Sequence, residues 1–302
     1  MSMRTQASTL TASPVVGKSQ IAVWCDLFKA RLTSLVLITT AVGFYVGTSG
    51  TLELGRLANT LLGTALLAAG AAALNQLFER ELDARMHRTQ DRPLPSGRLR
   101  PETVLLVGGV AALSGIAWLA LAVNWITSAI GAATLLSYLF VYTPLKRVTS
   151  LNTLVGAVPG ALPPLMGWTA AHGSITVEGW SLFAILVSWQ LPHFLAIAWM
   201  YREDYARAGF AMVAVSDPDG SRTSSRAFWH TLGLLPVSLF PFALRLAGPW
   251  YLAGAVLLGG LFIASAVQFR REVCHARARR LFYVSILYLP LLLGLMVLDK
   301  LR

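Results

Sequence analysis

Long apolar stretches alternate with short charged ones along the whole chain. Apolar runs close to spanning length fall at 32–48, 57–78, 103–122, 125–143, 151–169, 179–200, 228–246, 249–268 and 281–298. A helix rises ~1.5 Å per residue, so about 20 apolar residues cross the hydrocarbon of a bilayer. The pattern predicts an all-α, polytopic membrane protein with nine transmembrane helices. The third and fourth runs are separated only by a tight turn around Asn124. The fifth contains "GAVPGALPPLMGW", with three prolines, and is expected to be irregular. Backbone broken at that depth must be shielded by protein or face a water-filled cavity. Residues 1–20 are polar and rich in Ser and Thr; they read as a disordered tail rather than a signal peptide, leaving 21–302 as one transmembrane domain.

Composition agrees with lipid as the solvent. The 302 residues are 55% hydrophobic and 13% charged, against about 25% charged in a soluble domain. The net charge of +11 would suggest nucleic acid in a soluble protein, but its placement gives another answer. Of 25 Lys and Arg, all but Arg56, Arg245, Lys300 and Arg302 fall in the N-terminal segment or in the loops after even-numbered runs. The positive-inside rule then puts the N-terminus and those loops in the cytoplasm, and nine crossings put the C-terminus outside. No nucleic-acid partner is expected. The two cysteines are too few for a disulfide framework.

Directly after the second run, Asn75, Glu79 and Asp83 sit four residues apart. Positions i, i+4 and i+8 share one helix face. Their oxygens can converge on a hard cation, and Mg²⁺, which accepts carboxylates together with phosphate oxygens, suits them. Arg88 and Arg92 follow with forked donors that match phosphate. A solvated helix end laced with ion pairs, each worth only ~0–1 kcal/mol, is the plainer alternative; the spacing at a membrane boundary argues against it. Lys146 and Arg147, after the fourth run, can reach a phosphate from the opposite wall or anchor the loop in the cytoplasm. Tyr142 beside them is a substrate wall or an interfacial belt residue, and Asn152 opens the fifth run. Gln190 and His193 lie inside the sixth run, where polar groups are functional by default and packing residues otherwise. Asp204 lies just past the cytoplasmic end of that run, with Arg202 and Tyr205, placed to supply a second cation site.

These residues carry a resemblance. Asn75-x3-Glu79-x3-Asp83, Arg88-Thr89-x2-Arg92-Pro93-Leu94-x2-Gly97, Tyr142-Thr143-x-Leu145-Lys146-Arg147 and Trp189-Gln190-x-Pro192-His193-Phe194 resemble the motifs of the UbiA superfamily of intramembrane prenyltransferases. The last motif, with Asp204-Tyr205 and Ala208-Gly209, points to the branch acting on heme. The resemblance implies helices arranged around a central cavity, with both acidic motifs facing the cytoplasm. It implies transfer of a farnesyl group from farnesyl diphosphate to a vinyl group of heme B, giving heme O. It also implies one or two Mg²⁺ held by Asn75, Glu79, Asp83 and Asp204. Lys146 would assist catalysis. Lys29, Arg31, Arg88, Arg92, Tyr142, Arg147, Asn152, Gln190, His193, Arg202 and Tyr205 would bind substrates. Implied partners are the lipid bilayer and the product's consumers, heme A synthase or cytochrome oxidase assembly. A bacterial plasma membrane is the expected location, with the mitochondrial inner membrane as the alternative. Three departures stand out: Glu79 replaces the family's Asp, Met200 replaces an Asp of the second motif, and Lys29-Ala30-Arg31 lacks the usual proline. Two other functions fit parts of the pattern. One is a prenyltransferase of the same fold acting on a quinone precursor or chlorophyll-type ring. The other is a secondary transporter, although no repeated halves are evident and the carboxylates cluster at one end rather than the midplane.

Overall fold

The protein is described by a computed structural model over residues 18–301. Most of the tail expected at 1–20, residues 1–17, lies outside the described residues. Ser19 already caps the first helix, its hydroxyl accepting from the Ala22 amide at 3.3 Å. Helix α1 (Gln20–Leu27) turns into α2 (Ala30–Gly47) at Lys29, whose φ of 46° is left-handed. The chain continues through α3 (Leu54–Asp83), α4 (Pro101–Ala122) and α5 (Trp125–Leu136). A π-helical turn (Ser137–Tyr142) joins α5 to α6 (Thr143–Leu145). Then come α7 (Asn152–His172), α8 (Val177–Met200), α9 (Arg202–Ala208) and a 3-10 turn (Val213–Ser216). The chain ends with α10 (Ser221–Ser238), α11 (Phe240–Ala243), α12 (Pro249–Arg271) and α13 (His275–Leu298).

Among the described residues, all nine apolar runs are helical. Seven segments are long and apolar enough to cross a membrane, with α5, the π turn and α6 counting as one. The other two runs, in α7 and α10, fall short. Glycine and proline dilute α7, and α10 opens on the polar "SRTSSR". Each long helix packs on the next in chain order, and α13 returns to α2, so the bundle closes on itself.

The turn at Asn124 is as the sequence suggests: its side chain caps α5, accepting from Thr127 N at 2.8 Å and donating to Thr169 O at 2.9 Å. The fifth run corrects an expectation. Helix α7 is continuous from Asn152 to His172 with Pro159, Pro163 and Pro164 inside it. The lost amide donors are tolerated because α7 is enclosed by α2, α5 and α8. Its glycines permit that enclosure. A Cβ on Gly167 would stand 1.9 Å from Thr40 O, and one on Gly43 of α2 would stand 2.0 Å from Pro164 O. Gly70 and Gly115 do the same for α3 against α4. Small residues that bring backbones together are the usual means of helix association in lipid.

The outer surface is apolar: Leu106, Leu113, Leu121, Trp125, Leu257 and Leu287 all project outward. The core forms two main clusters, one among α8, α10, α12 and α13, the other among α3, α4, α5 and α7. The loops after α3, α6 and α8 meet at one end. Arg88 reaches Tyr205, and Ala211 N donates to Lys146 O at 2.7 Å. Lys18 joins that end through Asp91 at 2.9 Å. Lys300 lies at the other end, bonded to the carbonyls of Tyr45 and Thr48 at 2.7 Å each. The two ends of the described chain therefore lie at opposite ends of the bundle.

Candidate active site

The stripe on α3 is buried: Asn75 is 1% exposed, Glu79 4% and Asp83 1%. Polar groups so enclosed need partners, and each finds a cation from elsewhere in the chain. Lys29 Nζ donates to Asn75 Oδ1 at 2.9 Å. Lys146 Nζ donates to Glu79 Oε1 at 2.7 Å. Arg92 donates to Asp83 Oδ2 at 2.6 Å. The second oxygen of Asp83, Oδ1, is buried without a partner. Asn75 Nδ2 also donates to Thr143 Oγ1 at 3.2 Å.

The left-handed turn at Lys29 points its ammonium inward. Burial, with Arg92 and Lys146 close by, pulls its pKa down to about 7. Burial also opposes the charge on Lys146, but Tyr142 and the Glu79 carboxylate outweigh it and its pKa is raised. Lys146 stands 4.6 Å from the Tyr142 ring centroid. The π turn stacks Tyr138 on Tyr142 and turns both to the interior, a use of π geometry common at functional sites. Arg88 lies over the Tyr201 and Tyr205 rings and donates to Tyr205 OH at 3.2 Å.

These groups form the mouth of one cavity of about 520 Å³. Its charged lining residues are Lys29, Glu79, Asp83, Arg88, Arg92 and Lys146, four cations against two carboxylates. Deeper in, the walls are apolar, with Leu67, Ala71, Pro159, Pro163, Met166 and Phe194. Leu32, in the first turn of α2, lines the cavity and is 59% exposed, so the cavity wall is open at that helix.

Most of the residues singled out from the sequence come together here: Tyr142, Asn152, Gln190, His193 and Tyr205 line the same cavity as the α3 stripe. Asn152 is fastened to backbone, donating to Thr149 O at 2.6 Å and Ala211 O at 2.9 Å. Gln190 donates to Ala157 O on α7 at 3.2 Å, and Gly160 leaves room for its amide. Four residues do not line the cavity. Arg31 and Arg147 are exposed, and Arg202 stacks on Trp199 at 4.2 Å. Asp204 borders a separate hollow and accepts from Arg207 and, at 3.4 Å, from the Arg88 amide. Among the described residues no three His, Cys, Asp or Glu gather as a metal cluster. Four residues enter that the sequence reading missed: Thr143, Tyr138, Phe210 and Ser285. Thr143 had a signal, lying inside the Tyr142–Arg147 motif. Ser285 had only its hydroxyl in an apolar run.

A helical bundle closed around a cavity with a charged mouth and apolar depth defines an intramembrane enzyme class. The model of the UbiA prenyltransferase family matches residues 36–289, and the chain belongs to that family. It is an integral membrane prenyltransferase, which sets the transporter alternative aside. A protein of Solibacter usitatus named protoheme IX farnesyltransferase is 48% identical over 286 residues, covering 92% of this chain and 98% of the relative. A protein of the same name from Myxococcus xanthus is 45% identical over 276 residues, covering 91% and 93%. A mitochondrial protein of that name from Arabidopsis thaliana is 36% identical over 295 residues, covering 97% and 68%. Among solved structures, a digeranylgeranylglyceryl phosphate synthase superposes with a TM-score of 0.78 at 15% identity, over 92% of this chain and 98% of that one. A UbiA homolog from Archaeoglobus fulgidus, solved with GPP and Mg²⁺, gives 0.63 at 15% identity, over 91% and 99%.

Proposed function

We propose that the enzyme transfers a farnesyl group from farnesyl diphosphate to a vinyl group of heme B, giving heme O, with Mg²⁺ as cofactor. One observation carries this reading: four cations face two carboxylates at the mouth of an otherwise apolar cavity. The surplus positive charge suits a diphosphate, and the apolar depth suits an isoprenoid and a macrocycle. The relatives named protoheme IX farnesyltransferase support the choice of substrates, and the archaeal homolog solved with GPP and Mg²⁺ supports the choice of metal.

The donor set fits a hard cation. Asp83 Oδ1 is buried, acceptor-only and unpartnered, which is costly unless something electropositive meets it. Asn75, Glu79 and Asp83 would hold Mg²⁺, which when bound neutralises charge on the departing diphosphate. Asp204, already accepting from Arg207 and the Arg88 amide, orders the turn carrying Arg88 instead.

Lys29, Lys146, Arg88 and Arg92 bind the diphosphate oxygens and stabilise their growing charge as the C–O bond breaks. The apolar walls keep water from the resulting allylic cation. The electron-rich vinyl group attacks the cation, which moves the positive charge to the neighbouring carbon; water adds there and gives up a proton to the departed diphosphate, leaving a hydroxyl. The charged mouth, with the N-terminus, faces the cytoplasm of a bacterial cell.

The test is transfer by purified protein in lipid nanodiscs. Radiolabelled farnesyl diphosphate is offered with heme B or with an aromatic quinone precursor, with and without EDTA. Label on a heme product, lost with EDTA, is expected. Label on the quinone precursor alone would overturn the acceptor, and EDTA-resistant transfer would overturn the metal.

A further inference from the structure

His193 lies on α8, seven residues before the helix ends at Met200. That is about 10 Å along a helix at ~1.5 Å per residue, away from the diphosphate end of the cavity it lines. Its ring is clamped. Trp189 stacks on it at 4.9 Å and Phe282 at 5.0 Å, at interplanar angles of 23° and 27°. Nδ1 is 2.7 Å from the hydroxyl of Ser285 on α13. The Trp189 indole N–H donates to the Ser285 carbonyl at 2.7 Å, tying the clamp to the same residue.

The tautomer follows from counting protons. The Ser285 hydroxyl has one hydrogen. Its oxygen also lies 2.6 Å from the carbonyl of Phe282, which can only accept. The hydrogen therefore goes to Phe282 O, and the Ser285 oxygen accepts from Nδ1–H of His193. The neutral imidazole then carries its lone pair on Nε2. Among the described residues no group bonds Nε2, and it is not one of the buried polar atoms left without a partner. It opens toward space, on a ring that lines the cavity.

We propose that Ser285 is a positioning residue: it locks His193 as the Nδ1–H tautomer, so that Nε2 is presented to the iron of the porphyrin acceptor. A histidine ligand whose other nitrogen donates to a neighbouring acceptor is the usual arrangement at metal sites, and it fixes both ring orientation and basicity. Here the iron belongs to the substrate. Ligation would hold the macrocycle in the apolar depth, with its edge directed at the charged mouth. The inference rests on heme B being the acceptor.

Titration of the purified protein with ferric heme B, followed by the Soret band and by EPR, tests it. The wild type should shift the heme spectrum to that of an imidazole adduct. Ser285→Ala should weaken heme affinity by about 10–100-fold and alter the EPR signature, and Ser285→Thr, which keeps the oxygen, should restore both. His193→Gly should lose the adduct spectrum and regain it with added imidazole. Binding of metal-free protoporphyrin IX should be the same in wild type, Ser285→Ala and His193→Gly, because no iron is present to ligate. Equal losses for heme and for the metal-free ring would reduce Ser285 to packing and overturn the proposal. So would a wild-type shift that Ser285→Ala leaves unchanged. A wild type that leaves the heme spectrum unaltered while still transferring label to heme would overturn this inference alone, whereas loss of transfer to heme would overturn the acceptor and this inference with it.

Discussion

Each oxygen-bearing residue of the α3 stripe is matched to its own cation, and Asp83 alone among the three keeps a fully buried oxygen without a partner. This ranks the stripe. Asp83→Asn keeps the volume and the contact to Arg92 but removes the charge, and transfer should fall about 10²–10³-fold, the scale of losing one electrostatic stabiliser. Transfer assays with radiolabelled farnesyl diphosphate across a range of Mg²⁺ concentrations check this; near-normal rates would show that the residue does not hold metal. Glu79→Asp keeps the charge and shortens the reach by one methylene, so it should remain active, whereas Glu79→Gln leaves Lys146 without a counter-charge and should lose most activity. Equal rates for Glu, Asp and Gln would remove position 79 from the ligand set. The stripe was legible because i, i+4, i+8 spacing is a property of one helix. The pairing was not: Lys29 and Lys146 stand 46 and 67 residues from their partners, and only the fold brings them together. Ser285, 92 residues from His193, was hidden for the same reason.

Helix α7 shows why the sequence misled at the level of an element. Three prolines in a short run ordinarily break a helix exposed to water. Enclosed by neighbours on several sides, α7 stays helical and its glycines become contact points. Gly167→Ala would drive a methyl into the backbone of α2 at Thr40 O. It should cost about 1–3 kcal/mol, as overpacking does, and lower the midpoint of thermal unfolding in detergent. Gly109→Ala, with open space around it, serves as the neutral control; equal midpoints would mean that the two helices can slide apart freely. Asp217 also belongs here. It stands four residues before α10 and holds that helix's first turn, accepting from the Thr223 amide and hydroxyl at 2.7 Å each. Burial works against its charge, yet Thr223 and Arg222 hold its pKa below the ordinary carboxylate value. A depressed carboxylate stabilises above its unfolded pKa of 3.8 and loses that contribution as pH falls through the folded value. Asp217→Ala should therefore lose about 0.5–2 kcal/mol at neutral pH, with the gap to wild type closing below pH ~4. A gap independent of pH would assign the loss to packing.

At the scale of the whole molecule, the nine runs read from hydropathy all appear as helices, while α7 and α10 are less apolar than spanning helices usually are. The two ends of the described chain lie at opposite ends of the bundle, as an odd number of crossings requires. Reporter fusions after Arg100 and after Arg302 should therefore report opposite sides of the membrane, with the first cytoplasmic; the same side for both would mean an even number of crossings. The exposure of Leu32 on the cavity wall has a kinetic corollary. If that opening at α2 faces lipid, substrates entering through it come from within the bilayer and need not dissolve in water. Encounter is then a search in two dimensions, and the governing concentration is mole fraction in the membrane. Adding lipid to the same bilayers at fixed enzyme and substrate would slow turnover by dilution within the surface, although the concentrations of enzyme and substrate per litre stayed the same.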